Sequence, residues 1–157
     1  ELVVAGPAHT RGDVLVHVPG DRTVFTGDLL FVDGHPVMWA GPIANWIAAC
    51  ERIIGWDVAT VVPGHGPITD VAGVQTFRDY LVWLHAAVRK RYDAGVGVEE
   101  AARDIAFEAY THWLDGERAV LNVASLYREF GATSLPAMGA LYGFMHRLRK
   151  DLAARAK

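Results

Sequence analysis

The hydrophobic pattern of this 157-residue chain changes once, just after the segment VVPGHGP at residues 61–67, and that change limits its possible folds. Before it, β-branched apolar runs predict short strands at Leu2–Val4, Val14–Val18 and Thr23–Phe25. The turn residues Pro19-Gly20-Asp21 make a hairpin of the second and third runs. A fourth strand, Ala59–Val62, leads into VVPGHGP.

Apolar residues at helical spacing predict one helix between the strands and four after them. The predicted helices are Ile43–Ile54, a long helix from the N-cap residue Asp70 to about Gly95, and then 98–113, 118–130 and 135–154. The fold class is therefore α/β, with a β-rich domain over residues 1–70 and an α-helical extension over 71–157.

Composition excludes several classes of protein. With 52% hydrophobic and 21% charged residues, the composition is that of a globular chain. A net charge of -3 does not indicate binding to nucleic acid or to an anionic membrane. Cys50 is the only cysteine, so no internal disulfide can form and we expect a reducing cytoplasm. No apolar run approaches the ~20 residues of a membrane span. Because the chain opens on Glu1 inside an apolar run, we expect it to be part of something longer.

Three segments place a His or Asp beside glycine where an apolar strand ends: AHTRGD at 8–13, FTGDLLF at 25–31, and VVPGHGP. Side chains from distant strands converge at strand ends in layered α/β folds. Imidazole nitrogens and a carboxylate suit zinc, and they also suit iron or manganese. Each segment alone is more often an ordinary turn. Their repeated design predicts that His9, Asp28 and His65 bind metal.

In this order, the three segments resemble the second half of the metallo-β-lactamase-fold hydrolases, with the glyoxalase II-like, quinoprotein-relay-type group as the most similar members. The resemblance implies the C-terminal half of an αββα sandwich, followed here by the helical extension. It also implies two divalent metals, zinc first among the candidates. His9 would bind the first metal, His65 the second, and Asp28 would bridge them as the catalytic ligand.

The family's HxHxDH motif, which supplies the remaining ligands, is missing from this chain. Its histidines are His9, His17, His35, His65, His85, His112 and His146, and no two of them stand two residues apart. Three ligands divided between two metals cannot complete either position, and half a sandwich would expose an apolar sheet face. We therefore expect a partner, either the N-terminal half of the fold or a second copy of this chain.

Four other residues are candidates for supporting the ligands or contacting substrate. Thr10 and Asp13 qualify by position, although Asp13 is as readily a turn residue. His35 follows FTGDLLF and would border the pocket, while Trp39 would either line a substrate cleft or pack in the core.

The leading functional hypothesis is a metal-dependent hydrolase in which a hydroxide held between the metals attacks a small ester, thioester or amide, lactams included. The first alternative is a catalytically incomplete half-domain that acts as an interaction or assembly module. The second is a phosphodiesterase of the nuclease type on the same fold, which the acidic net charge disfavours.

Overall fold

The computed structural model describes residues 1–155 and divides them into two compact units. The first unit contains residues 1–34 and 38–83, and the second contains residues 35–37 and 84–157. The helix that spans Val71–Asp93 contributes to both units. The domain division at residue 70 stays a prediction.

The first unit is built on a four-stranded sheet in the order β1-β2-β3-β4. The strands are β1 (Leu2–Val4), β2 (Val14–Val18), β3 (Thr23–Phe31) and β4 (Thr60–His65). The first three pair antiparallel, and β3 pairs parallel with β4. The predicted hairpin is confirmed, with His17 opposite Val24.

Strands β3 and β4 run further than their apolar patterns predict. The β3–β4 register shifts on both sides of Gly27, whose φ of 51° lies in the left-handed region. Glycine adopts this conformation without steric cost, so the strand continues through the TGD segment to Phe31. The FTGDLLF segment and the VVPGH part of VVPGHGP therefore belong to paired strands rather than to loops after them.

Helix α1 (Ile43–Ile54) makes the crossover that parallel strands require and covers one face of the sheet. Its apolar stripe is buried, and the indole Nε1 of Trp46 donates to the carbonyl of Leu29 in β3 at 2.8 Å. As predicted, Gly55 caps the helix. Helix α2 (Val71–Asp93) begins where the Asp70 carboxylate accepts from the Ala72 and Gly73 amides, which confirms the predicted N-cap.

The opposite face of the sheet is apolar and exposed. Its side chains project from paired positions on three neighbouring strands, and each is at least 37% exposed: Leu2, Val4, Val14, Val16 and Phe25. The residues that alternate with them, such as Leu15 and Val24, are fully buried. We call these five residues the bare face.

The second unit is helical, with α3 (Val98–Ala106), α4 (Ala119–Glu129) and α5 (Met138–Arg155). Helix α3 ends seven residues before the predicted boundary at 113. The amides of Phe107 and Glu108 bond three residues back, and Tyr110 then adopts a φ of 55°, which no helix accommodates. Helix α5 starts after Pro136, since the residue before a proline avoids the α conformation. None of the helices within residues 1–155 is long and apolar enough to cross a membrane.

The bare face predicts that this 157-residue chain associates with itself or binds hydrophobic dye when it is isolated. Replacing Leu2, Val4 and Val16 by threonine keeps strand propensity and removes apolar surface, so dye fluorescence and association should fall with little loss of stability. Leu114→Thr is the matched control, because Leu114 is 71% exposed and lies outside the sheet. Unchanged association in the triple variant would contradict the prediction; size-exclusion chromatography measures it.

Candidate metal centre

The pairing directions bring three segments to one edge of the sheet. Because β1 and β2 are antiparallel to their neighbours and β4 is parallel to β3, the β1–β2 loop lies at the edge where β3 and β4 end. His9 lies in that loop, Asp28 lies in the last part of β3, and His65 ends β4. The three predicted ligands therefore converge although up to 56 residues separate them.

The Asp28 carboxylate lies between the two imidazoles, with one oxygen toward each ring. His9 Nε2 is 3.5 Å from Asp28 Oδ2, and His65 Nε2 is 3.4 Å from Asp28 Oδ1. The His9 side chain is buried at 7% exposure, whereas Asp28 and His65 are about half exposed. A carboxylate with one oxygen beside each imidazole can contribute a ligand to each of two cation positions.

Two glycines in VVPGHGP allow this close approach. A Cβ on Gly64 would lie 2.4 Å from Asp28 Oδ1 and 2.5 Å from the carbonyl carbon of Gly27. Gly66 has a φ of 89°, and a Cβ there would lie 2.3 Å from the Val32 carbonyl oxygen. Because the glycines on both sides of His65 have no side chain, the end of β4 can lie close against β3 and the residue that follows it.

Two aromatic residues pack against the imidazoles: Trp46, and Phe31, which the sequence patterns did not single out. The ring of Phe31 stacks on His65, with centroids 4.4 Å apart and an interplanar angle of 11°, and lies 5.8 Å from the His9 ring. Trp46 packs edge-on to His9 at 5.6 Å. Phe31 is paired with His65 in the β3–β4 register, which local sequence alone does not reveal.

Thr10, Asp13 and Trp39 lie around His9. The Thr10 hydroxyl donates to Asp13 Oδ1 at 2.6 Å. The Trp39 amide donates to the His9 carbonyl at 3.1 Å, and the Trp39 side chain is about half exposed. The structure thus brings these candidates to the turn that carries His9, while their roles stay predictions.

His35 belongs to the second unit and is buried there. Its Nε2 donates to the Tyr110 carbonyl at 3.2 Å, and its ring packs edge-on to Trp113. Burial lowers the pKa of His35 to about 4, although the hydrogen bond to Tyr110 acts in the opposite direction. Its role at the substrate pocket stays a prediction.

The donors fit a shared metal site in chemistry but do not complete one. His9 with Asp28, and Asp28 with His65, offer two donors to each position. Within residues 1–155, no group of three or more His, Cys, Asp or Glu side chains is arranged to hold one ion. The buried Nδ1 of His9 also has no hydrogen-bond partner among these residues. These donors therefore do not complete a metal site among residues 1–155.

Residues 1–65 match a family model described as the Metallo-beta-lactamase superfamily. Over these residues the chain is similar to the metallo-β-lactamase superfamily. The match covers all three ligand segments up to His65, so the predicted resemblance is confirmed. That superfamily generally binds divalent metals. No curated protein sequence matches the chain.

Solved structures show the fold. The chain is similar to the stereoselective inverting sec-alkylsulfatase Pisa1 from Pseudomonas sp., with 11% identity over 85% of this chain and 24% of that one, at a TM-score of 0.62. It is also similar to a metallo-beta-lactamase family protein from Thermus thermophilus, with 16% identity over 83% and 45% of the chains, at a TM-score of 0.60. A metallo-beta-lactamase from Pontibacter korlensis matches with 24% identity over 52% and 40% of the chains, at a TM-score of 0.47. The predicted α/β class with a metallo-β-lactamase fold is confirmed.

The chain therefore spans between 24% and 45% of the length of these three proteins.

Gly64→Ala should destabilise the first unit by about 1–3 kcal/mol, because the atoms that the new methyl group meets are backbone and Asp28. Gly12→Ala is the control, since a Cβ there meets nothing within 4 Å and its stability should stay within about 0.5 kcal/mol of the parent. Urea denaturation measures both. Equal midpoints for the two variants would show that the close approach of β4 to Asp28 is not required.

Acid should destabilise the second unit through His35. The pKa of this ring is about 4 when folded and about 6.5 when unfolded, so between these values the unfolded state binds more protons and stability falls as pH falls. Relative to His35→Gln, the parent should lose about 2–3 kcal/mol between pH 7 and 4.5. The exposed His146 provides the control variant His146→Gln. A parallel pH dependence of urea midpoints in parent and His35→Gln would contradict this.

Proposed function

We propose that residues 1–157 form the C-terminal part of a metal-dependent hydrolase that acts on small esters, thioesters or amides, lactams included. The observation that supports this most is the Asp28 carboxylate placed between the His9 and His65 imidazoles at one sheet edge. The match of residues 1–65 to the superfamily model supports the same reaction class.

In this proposal His9 and Asp28 would hold one divalent ion, and Asp28 and His65 would hold the other. Such ions would supply Lewis-acid polarisation of the scissile group and activation of a water molecule. The residues of this chain fix the geometry. The Asp28 carboxylate lies between the two positions, and the Phe31 ring packs against both imidazoles. Trp39, half exposed beside the His9 turn, would contact an apolar part of the substrate.

We propose zinc as the resident metal, with iron and manganese as the alternatives. Two imidazoles and one carboxylate mix nitrogen with hard oxygen ligands, which suits zinc and is compatible with the other two. Two ions are proposed because one carboxylate oxygen faces each imidazole.

The site requires ligands from outside these residues, and we propose that they arrive with a second β-layer on the bare face. Three observations support this: two donors per metal position, five exposed apolar side chains on one sheet face, and the unpartnered Nδ1 of His9 within residues 1–155. The N-terminal half of the fold would supply that layer. A second copy of this chain is the alternative.

An assembly module without catalysis is the second candidate function. The same incomplete donor set within residues 1–155 and the bare face favour it, since both would persist in a half-domain that only associates. Metal binding by the longest natural polypeptide that contains these residues separates the two candidates.

Asp28→Asn in that polypeptide tests the proposal. The amide offers one acceptor oxygen instead of two, so metal content should fall from about two equivalents, and hydrolysis of model esters should fall more than about 100-fold. Asp33→Asn is the control, because Asp33 lies outside the ligand cluster and follows the same strand. Elemental analysis and initial rates are the measurements.

Unchanged metal content and rates in Asp28→Asn would overturn the proposed role of Asp28. A parent polypeptide that binds no metal and hydrolyses no ester, thioester or amide would favour the assembly module.

A further inference from the structure

The His9 turn is organised around one buried carboxylate. Asp13 is 9% exposed, and its two oxygens lie inside the β1–β2 loop. Asp13 Oδ2 accepts from the Ala8 amide at 3.1 Å and from the Thr10 amide at 2.9 Å. Asp13 Oδ1 accepts from the same Thr10 amide at 3.1 Å and from the Thr10 hydroxyl at 2.6 Å.

These bonds fix the backbone on both sides of His9. Ala8 and Thr10 are its chain neighbours, and both of their amides point at the same carboxylate. The backbone carbonyl of Asp13 adds to this by accepting from the Ala5 and Gly6 amides at 2.9 and 3.1 Å. Hydrogen bonds to an ionised acceptor are about twice as strong as neutral ones, so the turn is rigid where His9 departs from it.

The His9 side chain has no other polar contact to orient it apart from Asp28 among the described residues. Its Nδ1 has no partner there, its ring packs on Phe31 and Trp46, and its Nε2 faces Asp28 at 3.5 Å. The direction of Nε2 therefore depends on the backbone of the turn and on aromatic packing. His65, in contrast, lies in a paired strand that Asp13 does not touch.

We propose that Asp13 is a positioning residue of the metal centre, which controls metal affinity at the position served by His9 and leaves the His65 position unchanged. This rests on the proposed function, since it requires that His9 binds metal. A turn residue with only a structural role would alter stability without distinguishing the two positions.

Asp13→Asn in the longest natural polypeptide that contains these residues is the direct test. The asparagine amide has nearly the same shape, but its NH2 group cannot accept, so one neutral carbonyl oxygen replaces the two carboxylate oxygens that the Ala8 and Thr10 groups share. We expect the affinity for one Zn²⁺ to fall about 10- to 100-fold, while the other stays within about 2-fold. Zn²⁺ titration against a chromophoric chelator gives both constants.

Three companion variants assign the effect. His9→Ala should abolish the same position that Asp13→Asn weakens, and His65→Ala should abolish the other. Asp21→Asn is the matched control, since Asp21 is an exposed turn residue in the β2–β3 hairpin. Amide hydrogen exchange of the metal-free protein should rise at Ala8 and Thr10 in Asp13→Asn and remain unchanged in Asp21→Asn.

Thr10→Val covers the case in which Asp13→Asn fails to fold. Because Thr10 is exposed, valine removes the hydrogen bond from the Thr10 hydroxyl to Asp13 Oδ1 without adding a side chain to the core. Thr10→Ser keeps the hydroxyl and should retain the parent affinity. Selective weakening of the His9 position supports the proposal. Equal weakening of both positions, or a loss of stability with unchanged affinities, overturns it.

The outcomes also separate this inference from the proposed function. If Asp28→Asn loses metal and Asp13→Asn binds it as the parent does, Asp13 is only structural and the proposed function stands. If the parent binds no Zn²⁺ at all, both fall together.

Discussion

The parallel pairing of β3 with β4 is the constraint on which the rest of the first unit depends. Parallel neighbours cannot be joined by a tight turn, so the chain crosses over through α1, and α1 covers one face of the sheet. The same pairing brings the ends of both strands to one edge, where Asp28 and His65 meet. One connection therefore creates both the ligand cluster and the bare face that α1 leaves uncovered.

The position of His9 follows from the antiparallel half of the sheet. The β1–β2 loop reaches the edge where β3 ends, and the Asp13 carboxylate shapes it with hydrogen bonds rather than with apolar packing. The two imidazoles are thus held in different ways. His65 is held by strand pairing and by the Phe31 ring, and His9 by a loop that folds around a charge.

Sequence pattern predicted the parts of the fold that depend on local chemistry. The hairpin, the crossover helix with its Gly55 end and the Asp70 cap are confirmed, because turn residues and apolar period determine them. The convergence of His9, Asp28 and His65 at one sheet edge could be predicted because each lies in a glycine-containing segment where an apolar run ends. The end of α3 was wrong by seven residues, since the tight turn at Phe107 and the left-handed Tyr110 leave no apolar signature. Phe31 was missed because its contact with His65 depends on interstrand register. The ligand roles themselves stay predictions.

The bare face has a consequence for electrostatics. Phe25 and Asp28 lie three residues apart on β3, so a layer that covers the apolar side chains and extends to the end of β3 would also remove water from around the half-exposed carboxylate. Attraction between unit charges grows roughly as the local dielectric constant falls, from about 1 kcal/mol at 4 Å in water to several times that near ε of 20. Hydrophobic association at the sheet would thereby strengthen the hold of Asp28 on cations, and bound cations would in turn favour the association.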